Sequence, residues 1–420
     1  MLHLFFYRLF ILLYTFGIRV ASLQNKKAGR WLKGRKNWQQ NLQTALPEQR
    51  GKTVWMHCAS LGEFEQGRPV LEQLKQQQPG LFVVVSFFSP SGYEVIKNYK
   101  GADVVCYLPM DGAANARHFA DLVKPNLVLW VKYEYWYFYL TEISRRKIPL
   151  LLISGIFRPS QPFFRWYGTL YREMLRKFTH LFVQNKTSLQ LTESFIDPGK
   201  ITVSGDTRFD RVIEIAGNFQ PIELVESWLN KSEKVVVAGS TWDEDVKEFT
   251  HYTKLHPEIK FIIAPHNINE EEIADNLALF PDAVLFSALS TVSHFTDKHI
   301  LIIDNVGMLA RLYHYATVAY IGGGFGDDGI HNVLEAAVYS KPVVHGPEYE
   351  KFAEAKELIE QGASFEVEDA LELEKILDKL FTDVAAYNVA AKAAGLFVHA
   401  KTGASAQVVE FIYKNRLLTS

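Results

Sequence analysis

The sequence predicts an α/β protein with two doubly wound domains in tandem, preceded by an apolar helix. Its 420 residues exceed what one ordinary core holds. From Thr53 onward, apolar β-rich runs alternate with amphipathic stretches, and this rhythm pauses near 205–216 before it restarts. We therefore expect an N-terminal domain over 25–216, a C-terminal domain over 217–420, and a helix over 1–24.

The apolar runs are nearly continuous, which is typical of parallel strands buried on both faces. In the first series they are TVWMHCA, LFVVVSFF, DVVCYLP, NLVLWVKYE, PLLLISGIF and THLFVQN; in the second they are KVVVAGS, KFIIAPH, AVLFSA, ILIIDNVG, TVAYIGGG and KPVVHGP. A hinge is expected around 218–221, and the stretch from about Val384 reads as helix that could cross back onto the first domain. Two Rossmann-like domains that face each other across a cleft are common among glycosyltransferases that use nucleotide sugars, the GT-B type.

Composition and charge exclude several classes of protein. Hydrophobic residues make up 48% of the chain and the formal net charge is -2, which indicates a globular protein without a nucleic-acid partner. The only cysteines, Cys58 and Cys106, each lie inside an apolar run. This position argues against a disulfide framework or a thiolate metal site, and it suits a reducing cytoplasm.

Residues 1–24 are almost wholly apolar and are followed by a basic run over 26–36. Arg8 interrupts the apolar stretch and Arg19 ends it, so its uninterrupted part is shorter than the roughly 20 residues that a spanning helix needs. We predict an anchor that lies in the membrane interface, with the basic run on the cytoplasmic side. A full span, a buried core helix and a cleaved signal peptide remain the alternatives.

Ligands of open parallel sheets bind beyond the carboxyl ends of the strands, so the loops there are the candidate site. Glu63 follows Gly62 after the first strand and lies in the first turn of the next helix, whose dipole favours an ionised carboxylate. An accessible carboxylate at this point can act as a general base on an acceptor hydroxyl. Glu134, beside aromatic residues after the fourth strand, could stabilise positive charge. Simple helix-end electrostatics and an ordinary solvated loop are the alternatives for these two residues.

Arg208, after the last strand of the first domain, could reach a phosphate on a departing nucleotide. A salt bridge to Asp206 or Asp210 would explain it equally well.

The second domain offers loops that could bind phosphate or base. They are Gly239-Ser240-Thr241, Pro265-His266, and the Gly322-Gly323-Gly324 turn that leads to a helix opening at His331-Asn332-Val333-Leu334-Glu335. Its N-terminus would face a phosphate, and Glu335 could accept hydrogen bonds from ribose hydroxyls. The glycine spacing differs from the dinucleotide fingerprint, and glycines that serve only a tight turn are the alternative.

No group of His, Cys or carboxylate residues has a convincing metal-ligand spacing. Asp327 and Asp328 are adjacent, but carboxylates on a glycine-rich loop are more often solvated. We therefore predict that the protein binds no metal.

In series, these motifs resemble the bacterial 3-deoxy-D-manno-octulosonic acid (Kdo) transferases, specifically the lipid A-specific enzymes. The resemblance runs along most of the chain. It is carried by the apolar N-terminus, His57-Cys58-Ala59-Ser60-Leu61-Gly62-Glu63, Ser89-Pro90-Ser91-Gly92, Glu134 with Trp136, Gly239-Ser240-Thr241, and His331-Asn332-Val333-Leu334-Glu335 followed by Gly346-Pro347.

The resemblance implies an inverting transferase of lipopolysaccharide synthesis at the cytoplasmic side of the cell inner membrane. It implies CMP-Kdo as donor, a lipid A precursor (lipid IVA) as acceptor, and no cofactor or metal. By position, Glu63 resembles the catalytic base, and Glu134 and Arg208 resemble transition-state stabilisers. The nucleotide contacts that the resemblance implies are Ser240, Thr241, Pro265, His266, Val306, Gly307, Met308, Asn332, Val333, Leu334 and Glu335.

Five positions depart from the family's usual residues, and they put the details of nucleotide recognition in doubt. Lys132 replaces an acid, Tyr137 a proline, His266 an arginine, Met308 a glutamate and Arg208 a lysine. Two rival hypotheses remain: a UDP-sugar-dependent transferase or epimerase of the same fold, and a membrane-bound sugar-nucleotide-binding protein that has lost catalysis.

Overall fold

The computed structural model describes residues 2–132, 134–292, 294–327 and 329–418. The chain forms two compact units. The first runs to Arg211 and resumes at Thr402, and the second comprises Val212–Lys401. The passage into the second unit therefore falls inside the helix Thr207–Gly217.

The first unit contains a seven-stranded parallel sheet in the order β3-β2-β1-β4-β5-β6-β7. Its strands are β1 Thr53–Cys58, β2 Phe82–Phe87, β3 Val104–Tyr107, β4 Leu127–Val131, β5 Leu150–Gly155, β6 His180–Val183 and β7 Ile201–Val203. Trp55 packs into the core on one face, while Val54 and Met56 pack into the core on the other. Burial on both faces is the reason that these strands read as continuous apolar runs.

Helices cover both faces of this sheet. They are α1 Leu2–Ala21, α2 Lys26–Gly34, α3 Trp38–Ala45, α4 Leu61–Gln77, α5 Pro90–Ile96, α6 Ala113–Val123, α7 Tyr137–Arg145, α8 Thr169–Leu175, α9 Lys186–Thr192 and α10 Thr207–Gly217, which continues into the second unit.

The second unit is also built on a seven-stranded parallel sheet, in the order β10-β11-β9-β8-β12-β13-β14. Its strands are β8 Val235–Thr241, β9 Lys260–Pro265, β10 Val284–Leu285, β11 Ile300–Ile302, β12 Val318–Ile321, β13 Val343–His345 and β14 Ser364–Glu366. The edge strand β14 was not among the predicted strands, because its three residues show no apolar run.

The helices of the second unit are α11 Glu223–Leu229, α12 Asp243–Leu255, α13 Glu270–Leu279, α14 Leu309–Leu312, α15 Leu334–Ala337, α16 Ala353–Glu360, α17 Ala370–Thr382 and α18 Val384–His399. The next helix, α19 Ala404–Lys414, lies in the first unit, although we predicted 217–420 for the second domain. Its apolar residues Val408, Val409 and Ile412 join the core that also contains Leu71 and Leu74 of α4. Burial of that apolar face is what draws the helix to the first unit.

The N-terminal helix α1 has two different faces. Phe5, Leu12, Leu13 and Phe16 are more than half exposed. The Tyr7 side chain instead packs against the hydrophobic core of the first unit. Over His3–Ala21 the helix is long and apolar enough to cross a membrane, by length and composition alone. A helix with one docked face and one exposed apolar face is also the pattern of an interfacial anchor.

Candidate active site

Two carboxylates lie at the carboxyl edge of the first sheet, after the adjacent strands β1 and β4. The two strands pair in parallel register, with His57 opposite Trp130. Glu63 belongs to the first turn of α4, which follows β1, and Glu134 follows β4. Parallel strands end at the same edge, so neighbouring strands bring these residues to one side of the sheet.

The Glu63 carboxylate turns back toward the end of β1, where its Oε2 accepts a hydrogen bond from the Ala59 N–H. This leaves the residue only 7% exposed, less accessible than the sequence suggested. Gly62 is the second residue of α4. The N–H group and the positive end of the 17-residue helix both stabilise negative charge on Glu63.

The Glu134 carboxylate lies beside two aromatic nitrogen atoms. Its Oε2 lies 3.1 Å from Trp136 Nε1 and 3.4 Å from His57 Nε2. His57 is fully buried, and its Nδ1 lies 2.9 Å from Ser86 Oγ, which also accepts from Trp55 Nε1 at 2.8 Å. If the Ser86 hydroxyl donates to Nδ1, the imidazole proton is on Nε2 and points at Glu134.

The thiol of Cys58, the last residue of β1, lies in the field of both carboxylates. Burial raises the pKa of this thiol well above its ordinary value, and the negative charges of Glu63 and Glu134 raise it further. Cys58 is therefore a neutral core residue and not a nucleophile. The shared effect shows that the two carboxylates act on one small region of the sheet edge.

Arg208 is paired with Asp206, the alternative that the sequence left open. Its Nε and Nη2 lie 2.9 and 2.8 Å from Asp206 Oδ2. Asp206 is 7% exposed, and its Oδ1 accepts from Gln66 Nε2 at 3.3 Å. Burial acts to raise the pKa of Asp206, but the positive charges of Arg208 and Lys132 outweigh it and the pKa is lowered.

Gln66 lies one turn after Glu63 on α4 and thereby connects the two parts of this edge. The main-chain carbonyl oxygen of Gln66 accepts from Thr207 Oγ1 at 2.5 Å, and Thr207 is the first residue of α10. Glu63 and the Asp206–Arg208 pair are thus positioned by the same helix. Asp210, the other proposed partner of Arg208, instead accepts from the N–H groups of Gly403 and Ser405.

In the second unit, several predicted nucleotide-binding residues gather where β8 and β9 end. Thr241 lies opposite Pro265, and the His266 N–H donates to the Thr241 carbonyl at 2.9 Å. Ser240 has a left-handed backbone with φ 54°. The Thr241 hydroxyl is buried and, within the described part of the chain, has no hydrogen-bond partner.

Three aromatic rings lie in contact beside these strand ends. The Trp242 and His266 rings are 4.5 Å apart and inclined by 18°, and His331 lies 4.6 Å from His266. His266 stands where the resemblance would have an arginine, and the indole of Trp242 covers one face of its imidazole. The sequence drew attention to both histidines but not to Trp242.

The Asp245 side chain connects the start of α12 to the glycine-rich turn through hydrogen bonds. Its carboxylate accepts from the N–H groups of Trp242 and Gly323, both at 2.8 Å, and from the Tyr320 hydroxyl at 2.7 Å. Burial raises its pKa. An acid three residues after the N-cap residue, here Trp242, is typical of a capping box, and this was the sequence signal for Asp245 that we missed.

Close backbone contacts explain two glycines of the Gly322–Gly324 turn. A Cβ on Gly322 would lie 2.3 Å from the Ser240 carbonyl oxygen, and one on Gly324 would lie 2.6 Å from the Gly346 nitrogen. These glycines bring the ends of β8, β12 and β13 together. The tight-turn alternative therefore accounts for part of the motif.

The remaining predicted contacts lie at the N-terminal ends of α14 and α15. Glu335 is in α15, a single turn, so the helix dipole that we expected there is small. Asn332 Nδ2 lies 3.2 Å from Glu335 Oε1, and Val333 and Leu334 are buried.

Before α14, Val306 is 84% exposed, Gly307 has φ 92°, and Met308 is buried. A Cβ on Gly239 would meet both Tyr313 and Leu309, so α14 abuts the end of β8. Negative charge on Glu335 contributes to the raised pKa of Tyr313, whose main cause is burial. This places Glu335 in the same region.

No group of three or more His, Cys, Asp or Glu residues within the described ranges could hold a metal ion. Asp328, one of the adjacent aspartates considered above, lies outside the described residues.

Solved structures share this architecture. UDP-GlcNAc 2-epimerase from Neisseria meningitidis superposes with a TM-score of 0.63 at 16% identity, over 86% of this chain and 100% of that one. A glycosyltransferase from Rickettsia africae ESF-5 gives a TM-score of 0.56 at 16% identity, over 89% and 100% of the two chains. The two seven-stranded parallel-sheet units define a GT-B-type fold.

Sequence comparison finds similarity to one family of transferases. Residues 36–211 match the family model described as 3-Deoxy-D-manno-octulosonic-acid transferase (kdotransferase). The chain is 27% identical over 335 residues to 3-deoxy-D-manno-octulosonic acid transferase of Aquifex aeolicus (strain VF5), covering 78% of this chain and 86% of that protein. It is 24% identical to the transferase of the same name from Haemophilus influenzae, over 78% and 77% of the two chains. Residues 36–211 thus carry the domain that this family model describes, and 78% of the chain is similar to transferases of that name.

Proposed function

We propose that this protein transfers Kdo from CMP-Kdo to a lipid A precursor, lipid IVA, at the cytoplasmic side of the inner membrane. The observation that carries the proposal is the pair of carboxylates, Glu63 and Glu134, on neighbouring strand ends of a domain that belongs to the Kdo transferase family. Glu63 acts as general base on the acceptor hydroxyl. Glu134 stabilises the positive charge that develops on the sugar as CMP leaves, and Arg208 stabilises the negative charge on the departing phosphate.

The roles match the chemistry of the donor. A ketosugar that leaves CMP develops positive character on its ring, which a nearby carboxylate stabilises, and negative charge on the phosphate, which a guanidinium stabilises. We propose that the residues predicted for the nucleotide bind CMP-Kdo in the second unit. The reaction is proposed to need no metal, as the family resemblance implies.

A cavity in the first unit supports an amphiphilic acceptor. It measures about 360 Å³ and lies between α1, α2 and the Glu134 loop, with Tyr14, Ile18, Lys27 and Glu134 in its wall. Apolar walls suit acyl chains, and a lysine suits a phosphate on the acceptor. The cavity thus offers a lipid-linked sugar a route from the anchor helix to a carboxylate.

The test is transfer by the full chain in detergent from CMP-Kdo to a tetraacylated lipid A precursor, followed by the mass of the lipid. Glu63→Gln keeps the size of the side chain and can still accept from the Ala59 N–H, and it should lose at least about a hundredfold in kcat. Glu65→Gln is the matched control, because Glu65 lies on the same helix and pairs with Arg211. Activity in the presence of EDTA tests the metal independence.

Each outcome decides something. Product from wild type and Glu65→Gln but little from folded Glu63→Gln supports both the reaction and the base. Equal rates in all three would reject Glu63 as the base. If wild type neither adds Kdo nor releases CMP but turns over a UDP-sugar, the UDP-sugar hypothesis replaces this one. Donor binding without any turnover would favour the inactive binding protein.

A further inference from the structure

The N-terminal helix α1 takes part in capping α7. The Tyr7 hydroxyl donates to Asp111 Oδ2 at 2.6 Å and accepts from the Tyr137 N–H at 3.1 Å. Asp111 also accepts from the N–H groups of Phe138, at 3.0 Å, and Tyr139, at 3.2 Å. Since α7 begins at Tyr137, the two side chains satisfy its first three N–H groups, which no helix can satisfy internally.

The capped helix end leads directly to Glu134. Trp136 is the N-cap residue of α7, and its own side chain makes no capping hydrogen bond. Its indole instead donates to Glu134 Oε2 and packs against Phe88, with ring centroids 4.7 Å apart. The start of α7 therefore sets where the Trp136 indole points, and the indole holds Glu134.

We propose that Tyr7 is a positioning residue for Glu134: by capping α7, the docked anchor helix holds the catalytic loop in its working geometry. The anchor then contributes to the rate as well as to membrane attachment. This inference rests on the proposed function in taking Glu134 as part of the reaction.

The hydrogen bond between Tyr7 and Asp111 is shielded from water. Asp111 is 5% exposed, so water cannot readily replace the Tyr7 hydroxyl if that is removed. The face of α1 that carries Tyr7 also sets Arg8 over the Phe138 ring, 5.5 Å from its centroid. The exposed apolar residues of the helix lie elsewhere, so docking and membrane contact use different side chains.

Tyr7→Phe is the direct test, because it keeps the ring against Tyr137 and Phe138 and removes only the hydroxyl. Tyr413→Phe is the matched control, since it removes the same atom from the first unit at a hydroxyl that is buried without a hydrogen-bond partner among the described residues. Hydrogen exchange at Tyr137–Tyr139 should become about tenfold faster in Tyr7→Phe and stay unchanged in the control. Unchanged exchange in Tyr7→Phe would overturn the capping role.

Kinetics then test the link to Glu134. In detergent, where membrane attachment is irrelevant, Tyr7→Phe should lower kcat about tenfold with the KM for donor unchanged. In a Glu134→Gln background the same change should cost nothing further, because the residue it positions is already lost. An equal loss in both backgrounds would show that Tyr7 acts independently of Glu134 and would reject the proposal.

The exchange measurement requires no activity, so the two hypotheses can fail separately. Absence of Kdo transfer by wild type, with faster exchange in Tyr7→Phe, removes the proposed function and leaves the capping of α7 by the anchor helix.

Discussion

The imidazole of His57 lies between the Ser86 hydroxyl and the Glu134 carboxylate, 2.9 Å from the one and 3.4 Å from the other. The ring is fully buried and also packs against Trp130, with ring centroids 4.4 Å apart. It therefore has little freedom to rotate. His57 and Trp136 both contact Glu134 Oε2 and together fix the position of the carboxylate.

Replacing His57 should weaken catalysis through Glu134. His57→Phe fills the space but removes the donor to Glu134, so we expect kcat to fall about tenfold, and the free energy of unfolding to fall by about 1–3 kcal/mol because Ser86 loses a partner. Steady-state kinetics and urea unfolding measure the two effects. Ser86→Ala removes the partner of His57 Nδ1 and of Trp55 Nε1 but keeps the contact between His57 and Glu134, so it should cost stability with a smaller change in kcat. Wild-type kcat in His57→Phe would show that Glu134 does not need this contact.

Breaking the Asp206–Arg208 pair should cost stability in a pH-dependent way. Asp206→Asn leaves Arg208 without its buried partner, and we expect a loss of about 2–3 kcal/mol at pH 7. Because the folded-state pKa of Asp206 is lowered, its stabilisation is present above its ordinary value of 3.8 and is lost as the pH falls through the folded value. The difference in unfolding free energy between wild type and variant should thus begin to shrink below about pH 4 and should disappear below the folded-state pKa of Asp206. Arg208→Lys keeps the positive charge and should lose less unfolding free energy than Asp206→Asn. A stability difference between wild type and Asp206→Asn that is the same at every pH would contradict the lowered pKa of Asp206.

The pH dependence of stability that Asp111 causes should have the opposite sign to that of Asp206. Burial raises its folded-state pKa from 3.8 to about 6, so the folded protein binds more protons than the unfolded chain between these values. Stability should therefore fall by up to about 3 kcal/mol through this residue as the pH rises from 4 to 7. Urea unfolding across this range should show a steeper decline in wild type than in Asp111→Asn. Parallel curves would contradict the raised pKa.

Two glycines of the second unit should respond differently to alanine. A Cβ on Gly324 would meet the backbone of Gly346 at 2.6 Å, whereas one on Gly326 would meet its nearest neighbour, the Gly323 carbonyl oxygen, at 3.8 Å. Gly324→Ala should cost about 1–3 kcal/mol and weaken CMP binding at least about tenfold as the loop shifts. Gly326→Ala should be tolerated. Thermal unfolding and CMP titration calorimetry distinguish them, and equal behaviour would show that the close approach carries no cost.

The architecture was predictable from the sequence because its cause is local. Strands such as Val83–Val85 are apolar on both faces only where helices cover both faces of a parallel sheet, so the alternation of runs identifies the fold. The positions of Glu63 and Glu134 follow from the same rule, since both come directly after strands. The three-residue strand β14 is too short to leave such a pattern.

Contacts between distant side chains could not be predicted in this way. Tyr7 and Asp111 are 104 residues apart, and nothing in either local sequence indicates the other. For Arg208 the sequence offered a neighbouring acid as the partner, but only the structure distinguishes Asp206 from Asp210. The amphipathic pattern of α19 predicts a helix but does not indicate which of two cores it completes.

That last helix has a consequence for biosynthesis. The second unit is inserted, in chain order, between the first residues of α10, which belong to the first unit, and α19. While the chain emerges from the ribosome, the apolar side of α4 around Leu71 and Leu74 must wait for Val408 and Ile412, with the whole inserted unit made in between. The insert can mature first, and the domain synthesised first would then be the last to complete its core.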